Sequence, residues 1–245
     1  MTGNTIFMTG GTSGIGLGLA RKFRDLGNTV IISGRRKDLL DQIAAEDGIE
    51  GIPLDVADPD SITAAVETVV TNHPDVNVVV TMAGIMQVED LRDPAHLAVS
   101  EEIIAINLLG TIRTLTAVTP HLLQQPDPAI LTVSSGLAFV PLAITPTYSA
   151  TKAAIHSYTQ SLRLQLADSP IQVIEVAPPA VRTTLLNQEN DERSMPLDEY
   201  LTETVELLQK HPDADENLVD RVRFLRDAER ENRYDETIQL VNASR

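Results

Sequence analysis

The chain of 245 residues has no cysteine and no tryptophan, and aromatic residues make up only 3% of it. Without cysteine, disulfides, thiolate metal ligands and a cysteine nucleophile are excluded. The start of the chain lacks a basic segment followed by an apolar one, so we expect no signal peptide. No apolar run approaches the ~20 residues that span a bilayer. These absences favour a cytoplasmic protein with no membrane partner.

Basic residues are also scarce, since 19 Lys and Arg face 35 Asp and Glu and give a formal net charge of −16. A surface this acidic repels phosphate backbones, so we expect no nucleic-acid partner. The five histidines are scattered without the spacing of metal ligands, and we predict no metal site.

What the sequence does contain is an alternation of strand-like and helix-like segments. The predicted strands are residues 5–9, 29–33, 49–54, 76–81, 129–134 and 171–177. The predicted helices are residues 17–26, 37–46, 58–72, 100–124, 147–168, 196–210, 215–230 and 235–241. This alternation predicts an α/β fold of Rossmann type, a doubly wound and mainly parallel sheet with helices on both faces.

We find no repeat or linker that divides the chain, and we predict a single domain over residues 1–245. The polar segment 184–217 is predicted to act as a substrate lid. Residues 218–245 are predicted to form a helical tail.

A glycine-rich turn, residues 9–16, lies between the first strand and the first helix. Glycine lets the backbone turn sharply and approach a pyrophosphate at the helix N-terminus. Such a turn alone could equally be structural, but the strand before it and the helix after it favour dinucleotide binding. The candidate cofactor-binding residues of the turn are Gly10, Thr12, Ser13, Gly14 and Ile15.

The end of the second strand indicates which nicotinamide is bound. A carboxylate there would bind the adenosine ribose, but Ser33 is followed by Gly34, Arg35 and Arg36. Arginine suits a 2′-phosphate in geometry and charge, so we predict NADP(H) over NAD(H). The alternative is a solvated helix start, although a helix dipole disfavours cations at that position.

Residues after the third strand are candidates for the adenine end of the cofactor. Asp55 and Val56 are predicted to cap the adenine ring, and a local turn formed by Asp55 is the alternative.

Tyr148 and Lys152 are four residues apart on a predicted helix and therefore share one face. A free tyrosine has a pKa of about 10, and a nearby ammonium favours its phenolate. Ser135, at the carboxyl end of the fifth strand, could orient a substrate carbonyl. The alternative is a surface tyrosine packed under a lysine stem; the glycine-rich turn and the position of Ser135 favour an acid/base pair.

Together with the segment 107–110, Asn-Leu-Leu-Gly, these motifs resemble the short-chain dehydrogenase/reductase superfamily, in its compact single-domain branch. The resemblance covers residues 3–183. Residues 134–141 and 176–183 are similar to the subgroup named for lipoteichoic-acid D-alanylation.

The resemblance implies a hydride transfer between NADP(H) and a carbonyl or secondary alcohol. It implies that Tyr148 is the general acid/base, that Lys152 binds the nicotinamide ribose, that Ser135 polarises the carbonyl, and that Asn107 positions a water. Further cofactor contacts are implied for Ala83, Gly84, Pro178, Val181 and Thr183. Two alternatives stay open: a non-catalytic NADP(H)-binding regulatory protein, and imine reduction or epimerisation on the same scaffold.

Three departures from the family pattern stand out. Thr81 and Met82 replace two asparagines whose hydrogen bonds brace the sheet, and Pro179 replaces a glycine. The tail lacks the family's apolar seventh strand and looks helical instead.

Apolar residues near the candidate site favour an apolar small-molecule substrate. The candidate lining residues are Leu137, Phe139, Leu142, Ile144, Pro179 and Leu185. We assign His156 to the core or an interface rather than to catalysis, and Arg221, Arg223 and Arg226 to a solvated helix face. A homodimer is expected, through helices 100–124 and 147–168.

Overall fold

The computed structural model describes residues 2–243, and in this range seven strands form one parallel sheet. The strands are β1 (Thr5–Thr9), β2 (Thr29–Gly34), β3 (Glu50–Pro53), β4 (Val76–Thr81), β5 (Ala129–Val133), β6 (Gln172–Val176) and β7 (Glu216–Asn217). Their order is β3-β2-β1-β4-β5-β6-β7. The prediction of a single doubly wound α/β domain is confirmed.

Helices cover both faces of the sheet. They are α1 (Gly14–Asp25), α2 (Lys37–Asp47), α3 (Pro59–Asn72), α4 (His96–Ile103), α5 (Gly110–Leu122), α6 (Pro146–Gln165), α7 (Leu197–Lys210), α8 (Asp220–Arg226) and α9 (Tyr234–Asn242). The first helix begins three residues earlier than predicted, at Gly14, which enters the helix with φ 52°.

The sheet divides the core into two aliphatic layers. Alternate residues of β1 point to opposite sides, so Ile6 packs with α1, α2 and α7 while Phe7 packs with α3, α5 and α6. All residues of β1, β4 and β5 are buried. Burial on both faces explains why these strands are continuous apolar runs without alternation.

The predicted helix 100–124 is longer and less regular than expected. It begins at His96, passes through a π-helical segment at Ile104–Leu109, and continues as α5. A π-helical turn holds one extra residue and often occurs at functional sites. By length and composition, His96–Leu122 could cross a membrane, but a core helix of a soluble protein passes the same test, and α5 packs on the sheet.

The last third of the chain corrects three predictions. A seventh strand is present, but it has only two polar residues, and α8 begins at Asp220 rather than at residue 215. Asn217 is held by donating from Nδ2 to the carbonyl of Thr204, and such a side-chain bond leaves no apolar pattern in the sequence. The predicted lid 184–217 is too long, because Tyr200 and Leu201 of α7 are buried in the core.

Candidate active site

A cavity of about 1090 Å³ opens at the carboxyl ends of the strands. Parallel sheets bind ligands at this edge, where the strand order reverses, and here the reversal lies between β1 and β4. The β1–α1 turn forms one end of the cavity, and residues from β5, β6 and the C-terminal helices form the other.

The glycine-rich turn makes its end of the cavity out of backbone. The amides of Gly10 and Gly11 both donate to the carbonyl of Ser33, at 3.1 and 3.2 Å, which ties the turn to β2. A Cβ on Gly10 would lie 2.6 Å from the Cα of Ala83. A side chain at Gly10 would therefore displace the loop after β4, and a cofactor can approach the first amides of α1 closely.

Both predicted phosphate-binding arginines line this part of the cavity. Arg35 and Arg36 follow β2 and are exposed. In the stretch from residue 2 to residue 243, neither guanidinium forms an ion pair. Two unpaired cations in the wall of a cavity can meet an anionic group on a ligand.

Asp55 and Val56 also line the cavity, as do Leu54 and Ser33. The carboxylate of Asp55 accepts a hydrogen bond from the amide of Ala57 at 3.0 Å, so Asp55 does form a local turn as well. The two interpretations of Asp55, as a cap on the adenine ring and as a turn former, are compatible, because the turn that Asp55 forms lies at the edge of the cavity.

The side chains of Ser135, Tyr148 and Lys152 meet in the same cavity, and all three residues are at least 93% buried. The Lys152 ammonium lies 5.5 Å from the centre of the Tyr148 ring and donates from Nζ to the carbonyl of Val133 at 2.8 Å. Ser135 lies close enough to the phenol of Tyr148 to lower the pKa of that phenol. Its Oγ also accepts from the amide of Leu137 at 3.1 Å.

Burial moves both titratable groups away from their ordinary values. It raises the pKa of Tyr148 to about 12, against the opposing effect of the Ser135 hydroxyl. It lowers the pKa of Lys152 to about 8, against the opposing effect of the Glu175 charge. At neutral pH the protein alone therefore holds a protonated phenol beside an ammonium, which is the state that can donate a proton to a carbonyl.

Asn107 lies in the π-helical segment and is fully buried. Its Oδ1 accepts from the amide of Ile85 at 2.8 Å, and its Nδ2 donates to the carbonyl of Ile85 at 2.9 Å and to Thr151. Its side chain thus braces the loop after β4 beside Gly84. A Cβ on Gly84 would lie 3.3 Å from Asn107 Oδ1, so the loop packs tightly against this asparagine.

Comparison with known proteins identifies the family. The model described as short chain dehydrogenase matches residues 4–194. The chain belongs to the short-chain dehydrogenase family. It is 39% identical to an uncharacterised oxidoreductase, DltE, of Bacillus subtilis over 99% of this chain and 98% of that protein. It is 31% identical to an uncharacterised oxidoreductase of Staphylococcus epidermidis over 73% of this chain and 78% of that one.

Solved structures of short-chain dehydrogenases share the fold. One from Burkholderia cenocepacia, in complex with NADP, has a TM-score of 0.84 at 22% identity and covers 98% of each chain. A 3-ketoacyl-(acyl-carrier-protein) reductase from Brucella melitensis, complexed with NADH, has a TM-score of 0.75 at 27% identity, over 84% of this chain and 90% of that one.

The departures from the family pattern have local consequences. The hydroxyl of Thr81, where the family has asparagine, is buried and has no hydrogen-bond partner among residues 2–243. Next to it, a side-chain contact joins the loop after β4 to β1, where the Oγ1 of Thr9 accepts from the amide of Ala83 at 3.3 Å. Pro178 and Pro179 line the cavity, and the carbonyl of Pro178 accepts from the amide of Gly136 at 2.8 Å.

The remaining predicted cofactor contacts all line the cavity: Gly10, Thr12, Ser13, Gly14, Ile15, Ala83, Gly84, Val181 and Thr183. The hydroxyl of Ser13 does not cap α1 and stays available to a ligand.

Four of the six predicted substrate-lining residues also border the cavity: Leu137, Leu142, Pro179 and Leu185. The prediction was wrong for Phe139 and Ile144. Phe139 packs edge-on against His156, with ring centres 4.8 Å apart, and under the guanidinium of Arg226. The short helix after Ser135 turns Phe139 away from the cavity, which the apolar sequence pattern could not show.

The solvated face predicted for the tail arginines was wrong for one of them, since Arg221 and Arg223 are exposed and Arg226 is buried. Arg226 is 8% exposed and holds both carboxylate oxygens of Glu216. Arg221 lines the cavity, as do Phe224 and Leu225 of the same helix. Arg221, Phe224 and Leu225 are three and four residues apart and so share one face of α8. This spacing could have indicated that α8 forms part of the cavity wall.

Other lining residues were missed because they come from separate parts of the chain. They include Gln87, Glu102, Leu240 and Val241, whereas Leu186, Gln188, Asp191 and Arg193 belong to the predicted lid. Leu186 has φ 55° and ψ 29°, a left-handed conformation that branched residues rarely adopt. Such strain is often found at ligand-binding loops.

Proposed function

We propose that this protein is an NADP(H)-dependent oxidoreductase that reduces a ketone or aldehyde, or oxidises the corresponding secondary alcohol, and that it prefers NADPH to NADH. The observation that carries the proposal is the meeting of Ser135, Tyr148 and Lys152 in one cavity whose far end holds Arg35 and Arg36. The structural relative solved with NADP is consistent with the proposed cofactor.

The glycine-rich end of the cavity fits a dinucleotide, because it is lined by the backbone of Gly10, Gly14 and Gly16 at the start of α1 and by two hydroxyl side chains. The amides that open α1, with Thr12 and Ser13, would hold the pyrophosphate, and Lys152 would hold the nicotinamide ribose. When bound, the nicotinamide supplies or accepts the hydride.

The chain's own residues supply the proton chemistry. Ser135 donates a hydrogen bond to the substrate oxygen, and Tyr148 gives that oxygen its proton from the phenol. The ammonium of Lys152 lies close enough to stabilise the phenolate that remains. In the oxidative direction the same phenolate takes the proton back.

The deciding experiment is a panel of apolar and charged carbonyl compounds assayed with NADPH and NADH separately. We expect turnover of apolar ketones with a higher kcat/KM for NADPH. A kcat/KM for NADH equal to or above that for NADPH would overturn the cofactor assignment, and preference for charged sugars would overturn the substrate class.

A Tyr148→Phe variant separates catalysis from the alternative of an NADP(H)-binding regulatory protein. Removing a general acid costs about 100- to 10,000-fold in rate, while the phenyl ring leaves cofactor affinity nearly unchanged. Retention of full turnover would contradict the assigned role of Tyr148. Product analysis distinguishes imine reduction or epimerisation from carbonyl reduction.

We also propose a cytoplasmic homodimer in which α4–α5 and α6 pair with a second copy. Large apolar side chains of these helices are exposed: Ile104, Leu109, Leu123 and Leu164, the last at 79%. Leu164→Asp is expected to give monomers in sedimentation at micromolar concentration. A wild-type monomer under those conditions would contradict the dimer.

A further inference from the structure

A buried glutamate lies behind the catalytic lysine and has no part in the chemistry described above. Glu175 of β6 is 1% exposed. It pairs in register with Thr132 of β5, whose hydroxyl contacts Thr159 of α6 at 2.8 Å. Since residues paired across strands point to the same face, Glu175 also points towards α6, the helix that carries Tyr148 and Lys152.

The partners of this carboxylate are sequence neighbours of catalytic residues. Ser134, next to Ser135, donates from its Oγ to Glu175 Oε1. The Nδ1 of His156, one helical turn after Lys152, lies 2.7 Å from Glu175 Oε2. Both carboxylate oxygens are therefore held in place on the side of the sheet where Lys152 lies.

Burying a carboxylate costs several kcal/mol unless hydrogen bonds and an opposite charge compensate it. Lys152 is buried as well, and its ammonium donates to an uncharged carbonyl, that of Val133. Glu175 is the charged residue whose field acts on this ammonium, and it raises the pKa of Lys152 against the larger effect of burial. Two buried opposite charges thus stabilise each other across the space between β6 and α6.

Other charged groups surround Glu175 from each neighbouring element. His156 comes from α6, Glu216 from β7 and Arg226 from α8. One ring nitrogen of His156 and one carboxylate oxygen from each of Glu175 and Glu216 lie within 4.8 Å of one another. Arg226 binds both oxygens of Glu216, at 2.8 to 3.2 Å, and so neutralises that carboxylate. The charge of Glu175 is offset by His156 only when the imidazole is protonated, and otherwise it acts on Lys152 undiminished.

We propose that Glu175 is a positioning residue, held by Ser134 and His156, whose negative charge keeps Lys152 in the ammonium form that binds the nicotinamide ribose and stabilises the Tyr148 phenolate. The catalytic significance of this role rests on the proposed function, in which Lys152 binds the cofactor and supports Tyr148. The electrostatic coupling itself is a property of the protein without substrate or cofactor.

The sign of the effect follows from the charge removed. Glu175→Gln keeps the size of the side chain and removes its charge, so the ammonium of Lys152 loses stabilisation and the pKa of Lys152 falls from its wild-type value of about 8. At effective protein dielectric constants, a neighbouring buried charge moves a pKa by on the order of one unit. The alkaline limit of activity then moves to lower pH by the same amount.

The chain makes a direct measurement possible because it has only four lysines, Lys22, Lys37, Lys152 and Lys210. Protein labelled with ¹³C at lysine Cε gives a small set of signals whose pH titration reports each pKa. We expect the Lys152 signal, assigned with a Lys152→Met variant, to titrate near pH 8 in the wild type and about one unit lower in Glu175→Gln. An unchanged Lys152 titration in that variant would overturn the proposal.

Two further variants separate charge from structure. Glu175→Asp keeps the charge and is expected to restore the Lys152 titration towards the wild-type value, whereas a purely structural role predicts no such recovery. Glu89→Gln is the matched control, since Glu89 is also a buried carboxylate, held by Ser100 and Thr147, and does not act on the pKa of Lys152. A shift in the control as large as that in Glu175→Gln would contradict a specific coupling.

If Glu175→Gln does not fold, the double variant Glu175→Leu with His156→Leu tests the same point, because two hydrogen-bonded buried groups can be replaced together by apolar side chains at little cost. The same lowering of the Lys152 pKa is expected, and its absence would overturn the proposal. The titration needs no turnover, so a failure of the proposed function appears separately, as an inactive wild-type protein in the carbonyl panel.

Discussion

The cavity has two ends that are built in different ways. One is the end proposed to hold NADP(H), called the cofactor end, and the other is the end proposed to hold the carbonyl compound, called the substrate end. The cofactor end consists of strand ends and the glycine-rich turn, where a Cβ on Gly11 would lie 2.4 Å from Ile32 and one on Gly16 would lie 2.3 Å from the carbonyl oxygen of Gly10. The substrate end consists of side chains from α8, α9 and the segment after β6, and Phe224 and Leu240 are 45% and 55% exposed there.

Because of this difference, the two ends of the cavity tolerate different amino-acid substitutions. Backbone packed against backbone cannot accept added atoms without moving a core strand, so the cofactor end depends on a few glycines. Half-exposed side chains on short helices can be exchanged without disturbing the sheet. We therefore expect changes at the cofactor end to affect folding and cofactor affinity, and changes at the substrate end to affect substrate preference alone.

The largest effect is expected for Gly10→Ala. Gly10 has φ 72°, and its Cβ would lie 2.6 Å from the Cα of Ala83. Conformational strain and overlap together should lower the free energy of unfolding by about 3 kcal/mol and abolish NADP(H) binding. Gly48→Ala is the matched control, with φ 66° but no atom within 4 Å, and should cost about 1 kcal/mol. Equal losses in urea denaturation would show that packing at the turn is unimportant.

The next effect concerns the choice of cofactor. Replacing Arg35 and Arg36 together by Gln should weaken NADPH affinity by about 10- to 100-fold and leave NADH affinity unchanged, because only the 2′-phosphate is lost as a partner. Fluorescence titration of both cofactors measures this. Arg92→Gln, which removes an exposed arginine paired with Asp90, should change neither affinity. Parallel losses for both cofactors in the double variant would contradict a phosphate-specific role.

A smaller effect is expected at the substrate end. Phe224→Ala should raise KM for a bulky apolar ketone by about five-fold, the equivalent of roughly 1 kcal/mol of lost apolar contact, with unchanged NADPH affinity. Leu91→Ala, at an exposed residue outside the cavity, is the control. A change in the NADPH affinity of Phe224→Ala would contradict the claim that the two ends of the cavity act independently.

The smallest effect on catalysis is expected for Phe139→Leu. Phe139 contacts Arg226 and His156 outside the cavity, so the variant should lose about 1 kcal/mol of stability while KM and kcat stay at wild-type values. Thermal unfolding combined with steady-state kinetics checks this. An altered substrate preference would show that Phe139 lines the substrate end of the cavity after all.

The site was predictable where function requires a particular residue type at a fixed place along the chain. The turn from Gly10 to Gly16 and the pair Tyr148 and Lys152 each act through local spacing, so one stretch of sequence contains the whole requirement. The contribution of α8 was not predictable in this way. Arg221 and Arg226 have similar sequence surroundings, yet the first lines the cavity and the second is buried against Glu216.

By itself, the sequence determined the family, the parallel α/β fold and the candidate residues Ser135, Tyr148 and Lys152, because strand and helix periodicities and short motifs are local properties of the chain. The tertiary structure decided where Phe139 points, that polar residues form β7, and that Glu175 lies behind Lys152. Those outcomes depend on which distant segments pack together. Tyr148 and Lys152 could be found from their spacing, but their pKa values follow from burial and from charges that only the fold brings close.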